Sequence, residues 1–384
     1  MNIGIDKIGF FTSDLFLDMA ELATARNEDP NKYLIGIGQK KAAVIRNSQD
    51  SVTLAANAAS KIIDDADRQK IDLILFGTES GVDNSKSGSV YLQHLLGINQ
   101  SASGVELKQA CFGLTAGIRL AMGHIMMKPD SRVLLVGSDI ARYGLHSSGE
   151  VTQGGGAVAM IMSANPRIMT ISKEYSHYTK DIMDFWRPLG FSEALVDGKY
   201  SSDEFIQFFL KTYNAYKDMT KLESSDFEAL VFHLPFTKMG YKALRAGIED
   251  ETVEEQNRLF EAFDESKQLS QIVGNLYTGS LYLSLISLLI NRELKQNDII
   301  GLFSYGSGAE GEFFSGKINN YDKQSLIESL KWLDQRKQVT VKEYERIYLS
   351  AMLDSDDFET DYREDPAKFI LKGQKNHQRI YGEH

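Results

Sequence analysis

The chain has few of the residues that cross-link or stiffen a fold: one cysteine, six prolines and two tryptophans among 384 residues. A single cysteine excludes an internal disulfide and any cysteine-rich metal site. That fits a reducing compartment, so a cytoplasmic location is expected. Excess positive charge is also missing. Lys and Arg number 42 against 53 Asp and Glu, a net charge of −11, which is the wrong sign for general nucleic-acid binding. Overall acidity does not exclude a local basic patch for phosphate. No basic N-terminal stretch leads into an apolar run, so no signal peptide is expected. The longest near-apolar stretch, Leu281-Tyr-Leu-Ser-Leu-Ile-Ser-Leu-Leu-Ile290, is closed by Asn-Arg-Glu and is far too short to span a membrane. It reads as a buried helix.

What is present is ordinary globular material, 42% hydrophobic and 25% charged, enough for two or three domains or one large α/β unit. The strand candidates are short apolar runs at 72–77, 132–137, 156–162, 227–233 and 298–304. Near-continuous apolar strands are those covered on both faces, and helical patterns separate most of them, which argues α/β with helices packed on sheet. The two halves echo each other. Each has a strand ending in a polar residue, then an apolar helix opening with small or polar residues (Cys111-Phe-Gly-Leu-Thr-Ala-Gly117 and Asn275-Leu-Tyr-Thr-Gly-Ser280), then further strands. Between them lies an aromatic-rich stretch, about 175–216, which reads as an insertion. Its Ser201-Ser-Asp-Glu204 has the spacing of a capping box. The charged tail offers a hairpin at Phe369-Ile-Leu-Lys-Gly and Gln378-Arg-Ile-Tyr-Gly. The expected division is 1–166 and 167–384.

Three polar residues stand at strand ends or helix starts: Glu79, Cys111 and His233. Such ends face the crevice where α/β proteins hold ligands. Together they supply a nucleophile, a polarising donor or base, and a general acid/base. Cys111 is expected on the first turn of a helix, where free N–H groups and the dipole favour thiolate over thiol. Singly, each has a plain structural reading: a buried thiol, a solvated loop carboxylate, a hydrogen-bonded histidine. His124, on the apolar helix that follows Cys111, reads as structural.

The joint pattern is more specific. Ala110-Cys-Phe-Gly113, His233-Leu-Pro-Phe-Thr-Lys-Met-Gly240, Gly274-Asn-Leu-Tyr277 and Phe303-Ser-Tyr-Gly-Ser-Gly308 together resemble the thiolase superfamily. Within it they are similar to the bacterial 3-hydroxy-3-methylglutaryl-CoA synthase family, as are Gly77-Thr-Glu-Ser80, Gly137-Ser-Asp-Ile-Ala141, Gly154-Gly-Gly-Ala-Val-Ala-Met160 and Asp184-Phe-Trp-Arg-Pro188. The resemblance covers essentially the whole chain. It implies a five-layer αβαβα fold of two pseudo-repeated halves, homodimeric, in the mevalonate route to isoprenoids. It also implies Cys111 as the acetyl carrier, Glu79 as general acid/base and His233 as the residue that positions acetoacetyl-CoA. Asp184, Arg187, Lys238, Lys242, Asn275 and Ser307 are then expected to contact substrate, with Cys111 and Ser307 backbone N–H groups as the oxyanion hole.

The implied substrates are acetyl-CoA and acetoacetyl-CoA, with no metal, no resident cofactor and no membrane or nucleic-acid partner. Lys238, Lys242 and Arg245 recur at helical spacing after His233 and give one basic face for CoA phosphates. A second catalytic cysteine, which thiolases use, is lacking. Ketoacyl synthases share the Cys-His-Asn set but generate their carbanion by decarboxylation, so Glu79 is the discriminating residue. A synthase acting on a carrier-bound β-keto group, a ketoacyl-synthase-type enzyme and a scaffold without turnover remain alternatives.

Overall fold

The computed structural model describes residues 1–351 and 357–384. The apolar runs become strands of one nine-stranded sheet: β1 (Ile3–Phe11), β2 (Ile71–Gly77), β3 (Ser103–Leu107), β4 (Arg132–Ala141), β5 (Gly154–Ala164), β6 (Met169–Thr179), β7 (Phe227–Phe232), β8 (Ile299–Gly306) and β9 (Glu310–Ile318). Their spatial order is β7-β8-β9-β6-β1-β5-β4-β2-β3. The pairs β2–β3, β2–β4 and β7–β8 are parallel. The first half contributes five strands and the second half four. They join through two residue pairs between β1 and β6, Gly4 with Thr170 and Ile5 with Met169.

Among the helices that cover this sheet are α1 (Ser51–Ser60), α2 (Gly113–Met127), α3 (Gly198–Thr220), α4 (Thr237–Gly247), α5 (Val253–Ser266) and α6 (Ser280–Asn291). Alternation along the strands decides which face each helix covers. Gly9 of β1 lies under α1, whereas Leu75 and Leu135 lie under Gly117 of α2. In the second half, Phe303 and Phe313 face α3, while Leu302, Phe314 and Ser304 face inward. The helices α2 and α6 meet in the middle through the Thr115 and Tyr282 hydroxyls, 2.7 Å apart. The layers therefore run α1, first-half strands, α2 with α6, second-half strands, α3 with α4. This is the αβαβα arrangement expected. Ala110–Met127 is the one stretch of described residues long and apolar enough to cross a membrane. Here it is a core layer, with Leu114, Ile118, Ala121 and Ile125 fully buried.

Two expectations need correction. The aromatic stretch is not an insertion: β6 is a core strand beside β1 and β9, and α3 covers the outer face. Phe205, Phe208, Phe209, Tyr213 and Tyr216 of α3 are buried against Phe227, Phe232, Phe303 and Phe313. Aromatic side chains reach across a layer that smaller aliphatic ones would leave void. Helix α3 also starts one turn before the supposed capping box. Asp197 caps it by accepting from the Tyr200 N–H, and the Ser201 hydroxyl is committed to Asp184 instead.

The C-terminal hairpin forms as expected, Phe369–Lys375 with Gln378–Glu383. It packs back on the first half, where the Asn57 side chain exchanges hydrogen bonds with the Phe369 backbone at 2.8 and 3.0 Å. Lys337–Gln338 likewise pairs with Leu15–Asp18. His124 hydrogen-bonds Asp72 at the far end of α2, a structural place.

Candidate active site

The first half presents its chemistry where β2 and β4 end. Past Gly77 the chain turns through Thr78, Glu79 and Ser80, and Asp139 at the end of β4 holds that turn. Its Oδ1 accepts from the Glu79 and Ser80 N–H groups at 2.7 and 3.0 Å and from the Thr78 hydroxyl at 3.0 Å. Its Oδ2 accepts from the Thr278 N–H at 3.1 Å and hydroxyl at 2.6 Å. One fully buried carboxylate thus ties the Glu79 turn to the Asn275 loop of the other half. Cys111 sits in a tight turn just ahead of α2, after Ala110 at φ 43°. Its thiol donates to Glu79 Oε1 at 3.2 Å. Tyr143, Phe185 and Tyr277 pack edge to face around the thiol, with ring centroids 5.7 to 6.1 Å apart.

The second half faces this cluster with strand β8, whose end presses on the Cys111 turn. A Cβ at Gly306 would lie 2.5 Å from the Gln109 carbonyl oxygen and 2.8 Å from the Phe112 nitrogen, so only glycine lets the two backbones approach. Ser307, half-buried, follows at once, placing its backbone beside the Cys111 turn. Asp184 fixes this loop: Oδ1 accepts from the Gly308 N–H at 2.9 Å, and Oδ2 accepts from the Tyr305 and Ser201 hydroxyls at 2.8 and 2.9 Å. Fully buried and with both oxygens occupied, Asp184 braces the loop rather than standing open to substrate.

Asn275 follows Gly274, which has φ 91° and no room for a Cβ against the Gln153 carbonyl. Its Oδ1 accepts from the Tyr277 N–H and the Ser280 hydroxyl, and its Nδ2 donates to the Tyr143 hydroxyl at 3.1 Å. His233 stands one residue past β7, with its N–H on the Phe303 carbonyl at 2.9 Å. This places it one strand over from the β8 end that touches the Cys111 turn. The imidazole is 2% exposed, and its Nδ1 has no hydrogen-bond partner among the described residues. A buried ring nitrogen without a partner leaves a hydrogen bond for an incoming group.

Helix α4 then carries the basic face. The Lys238 ammonium lies 4.7 Å over the Tyr241 ring, and Lys242 and Arg245 are exposed one and two turns on. Thr237 at its start donates to the Gly38 carbonyl at 2.7 Å. A cavity of about 740 Å³ has Glu79, Thr78, Arg142 and Arg187 in its wall.

Electrostatics divide the site. Burial first, then the neighbouring Asp139 charge, pushes the Glu79 carboxyl up to about 8, with the Cys111 thiol and Arg187 pulling the other way. Asp139 is also raised by burial, but it collects donors from both halves and is the member of the pair that keeps its charge. The expectation of a thiolate-prone Cys111 is not met: burial and Glu79 raise the thiol well above its usual range. Helix α2 begins only at Gly113, and an acid at 3.2 Å outweighs a dipole that acts beyond the cysteine. His233 is lowered to about 3 by burial alone and is neutral.

Comparison with known proteins now places the chain. Residues 1–167 match the family described as "Hydroxymethylglutaryl-coenzyme A synthase N terminal", and residues 247–365 match its C-terminal counterpart. The chain is 47% identical over 387 residues to a hydroxymethylglutaryl-CoA synthase of Enterococcus faecalis, covering 99% of this chain and all of that one. The chain belongs to the hydroxymethylglutaryl-CoA synthase family. A crystal structure of HMG-CoA synthase complexed with CoA superposes with a TM-score of 0.95 at 39% identity, covering all of both chains. MvaS in complex with 3-hydroxy-3-methylglutaryl coenzyme A superposes with a TM-score of 0.89 at 32% identity, covering 100% of this chain and 99% of that one. The fold is thiolase-like, and the family is one of condensing acyltransferases.

Of the residues expected from sequence, Glu79 and Cys111 touch directly, and Asn275 reaches them through Tyr143. Ser307 and His233 lie on the facing strands. Arg187 shares the cavity wall with Glu79, and Lys238 and Lys242 stand apart on α4. Sequence reasoning missed Asp139, although a carboxylate inside the apolar run 133–141 was a visible signal. The ring cage of Tyr143, Phe185 and Tyr277 had none, because its members come from three separate segments.

Proposed function

We propose that this chain condenses acetyl-CoA with acetoacetyl-CoA and water to 3-hydroxy-3-methylglutaryl-CoA and CoA through an acetyl-Cys111 intermediate, as the synthase of a mevalonate route. The observation that carries the reading is the thiol–carboxyl hydrogen bond of 3.2 Å inside an aromatic ring cage. Ionised Glu79 accepts the thiol proton as Sγ attacks the acetyl carbonyl, and the CoA thiolate leaves with a proton. Ionised again, Glu79 removes a methyl proton, and the carbanion adds to the ketone of acetoacetyl-CoA. Glu79 then returns the proton to the alkoxide, and water cleaves the enzyme thioester. A carboxyl poised near 8 suits both directions of transfer near neutral pH. Neutral His233, with a free ring nitrogen, polarises the ketone, and the Cys111 and Ser307 backbones receive the oxyanion. The thioester itself acidifies the methyl protons, so the reaction as proposed calls on no metal or resident cofactor.

Lys238 and Lys242 on α4 are the proposed contacts for CoA phosphates. The chain is proposed to act as a cytoplasmic homodimer. The open edge of β3 with exposed Val105, beside exposed Leu120 and Met127 of α2, gives an apolar face for a second copy. Labelled acetyl-CoA followed by peptide mapping tests the reading. Label on Cys111, absent in Cys111→Ser, together with thiol release that depends on acetoacetyl-CoA, is the expected result. Release with an acetoacetyl carrier protein but not with acetoacetyl-CoA would move the acceptor to carrier-bound groups. An unlabelled Cys111 would end the reading.

A further inference from the structure

Arg187 is a cation without a counter-ion beside the catalytic carboxyl. It forms no ion pair among the described residues, it lines the 740 Å³ cavity together with Glu79, and it is the cation whose charge bears on Glu79. The backbone on both sides of it is fixed. Three residues earlier Asp184 is held by three donors. Phe185 belongs to the ring cage around Cys111, and Trp186 pairs with Leu195. On the other side Pro188 confines Arg187 itself to extended backbone. Other bases on the cavity wall are engaged or distant. Arg379 is bound to Asp50 at 2.7 Å, Arg142 has partners of its own, and Lys108 is exposed at the rim.

The proposed reaction ends by making a charge at Cys111, which lies 3.2 Å from Glu79 on the wall of this cavity. Water oxygen bonds to the acyl carbon and the carbon–sulfur bond breaks. One proton goes to the departing Cys111 sulfur and the other is released as the new acid ionises. A carboxylate is thus born next to Glu79 and Asp139, two buried acids already within reach of each other. A further negative group beside the charged Asp139 is strongly opposed unless a cation meets it. We infer that Arg187 receives the carboxylate released from Cys111, so that the Glu79-side cavity is the carboxylate subsite of the product. The inference rests on the proposed function. Arg is suited to it, since its planar fork binds a carboxylate through two parallel hydrogen bonds.

The test compares ligands that differ by that carboxylate. In Arg187→Gln, HMG-CoA should inhibit about 10-fold or more weakly, the scale of one lost charged hydrogen-bonded pair. The KM for acetoacetyl-CoA, which has no carboxylate, should move less than about two-fold by the same reasoning. Rapid-quench labelling should show acyl-Cys111 formed but decaying more slowly, and Arg187→Lys should recover part of the HMG-CoA affinity. Equal weakening of HMG-CoA and acetoacetyl-CoA, or weakening of neither, overturns the inference. So does a folded Lys variant no better than Gln. A wild-type protein that never labels at Cys111 would instead remove the reading beneath it.

Discussion

The two halves of the molecule place the same device at the same depth and fill it with opposite chemistry. In each, a parallel strand stops at a polar residue, and a loop leading into a central-layer helix comes up beside it. In the first half those positions hold Glu79, Cys111 and the supporting Asp139: groups that gain or lose protons, crowded until burial and mutual repulsion hold the first two protonated. In the second they hold His233 and Asn275: groups kept neutral, whose hydrogen bonds are fixed or left open for a ligand. The aromatic core cluster lies wholly in the second half, while the mainly aliphatic one runs through both. In the proposed mechanism proton transfer is therefore confined to one half and orientation to the other, and Asp139 is the strap between them.

The strongest way to break that division is to remove its acid. Glu79→Ala should slow carbon–carbon bond formation roughly 10²–10⁴-fold, the usual cost of a lost general acid/base. Acetyl-Cys111 should still accumulate, though more slowly, because the change removes the group that takes the thiol proton but also one of the causes that hold the thiol up. Single-turnover labelling with and without acetoacetyl-CoA separates the two steps, and joint loss of both would make Glu79 the servant of the thiol alone. The wild-type condensation step should rise with pH through about 8, where Glu79 ionises. Folding stability should move the other way. Glu79 binds its proton more tightly folded than unfolded, so its contribution is full below its ordinary value of 4.5 and fades as pH rises through about 8.

Cutting the strap sharpens the comparison more gently. Asp139→Asn leaves donors from both halves facing an amide, and about 2–4 kcal/mol of stability should be lost, read by denaturant unfolding. It also withdraws the charge that repels ionisation of Glu79, so the midpoint of the condensation profile should fall below about 8. An unshifted midpoint would mean burial alone sets Glu79. The smallest effect is expected at the basic face of the second half. Lys238→Ala should raise the KM for CoA thioesters by about 2–5-fold, the worth of an exposed charge pair. Pantetheine thioesters, which lack the phosphates, should change less, and equal losses would make Lys238 a structural partner of Tyr241.

Much of this was legible in the order of residues. Period-two and near-continuous apolar runs marked five of the nine strands, because burial on both faces leaves no polar position to hide them. The central strands β1, β6 and β9 were less visible, since β6 and β9 mix exposed charges with core residues. Glu79, Cys111 and His233 were readable as polar residues closing apolar segments. By itself, then, the sequence determined the layer architecture, the family and the residues proposed to react, all of which rest on local pattern and residue type. Tertiary structure alone decided their ionisation, since the thiol that a helix start would acidify lies against a buried carboxyl instead. It also decided what Asp184 does, what Asp139 joins and which base faces Glu79. Those outcomes depend on distances between segments far apart in the chain, and charge in a buried site is governed by its neighbours in space.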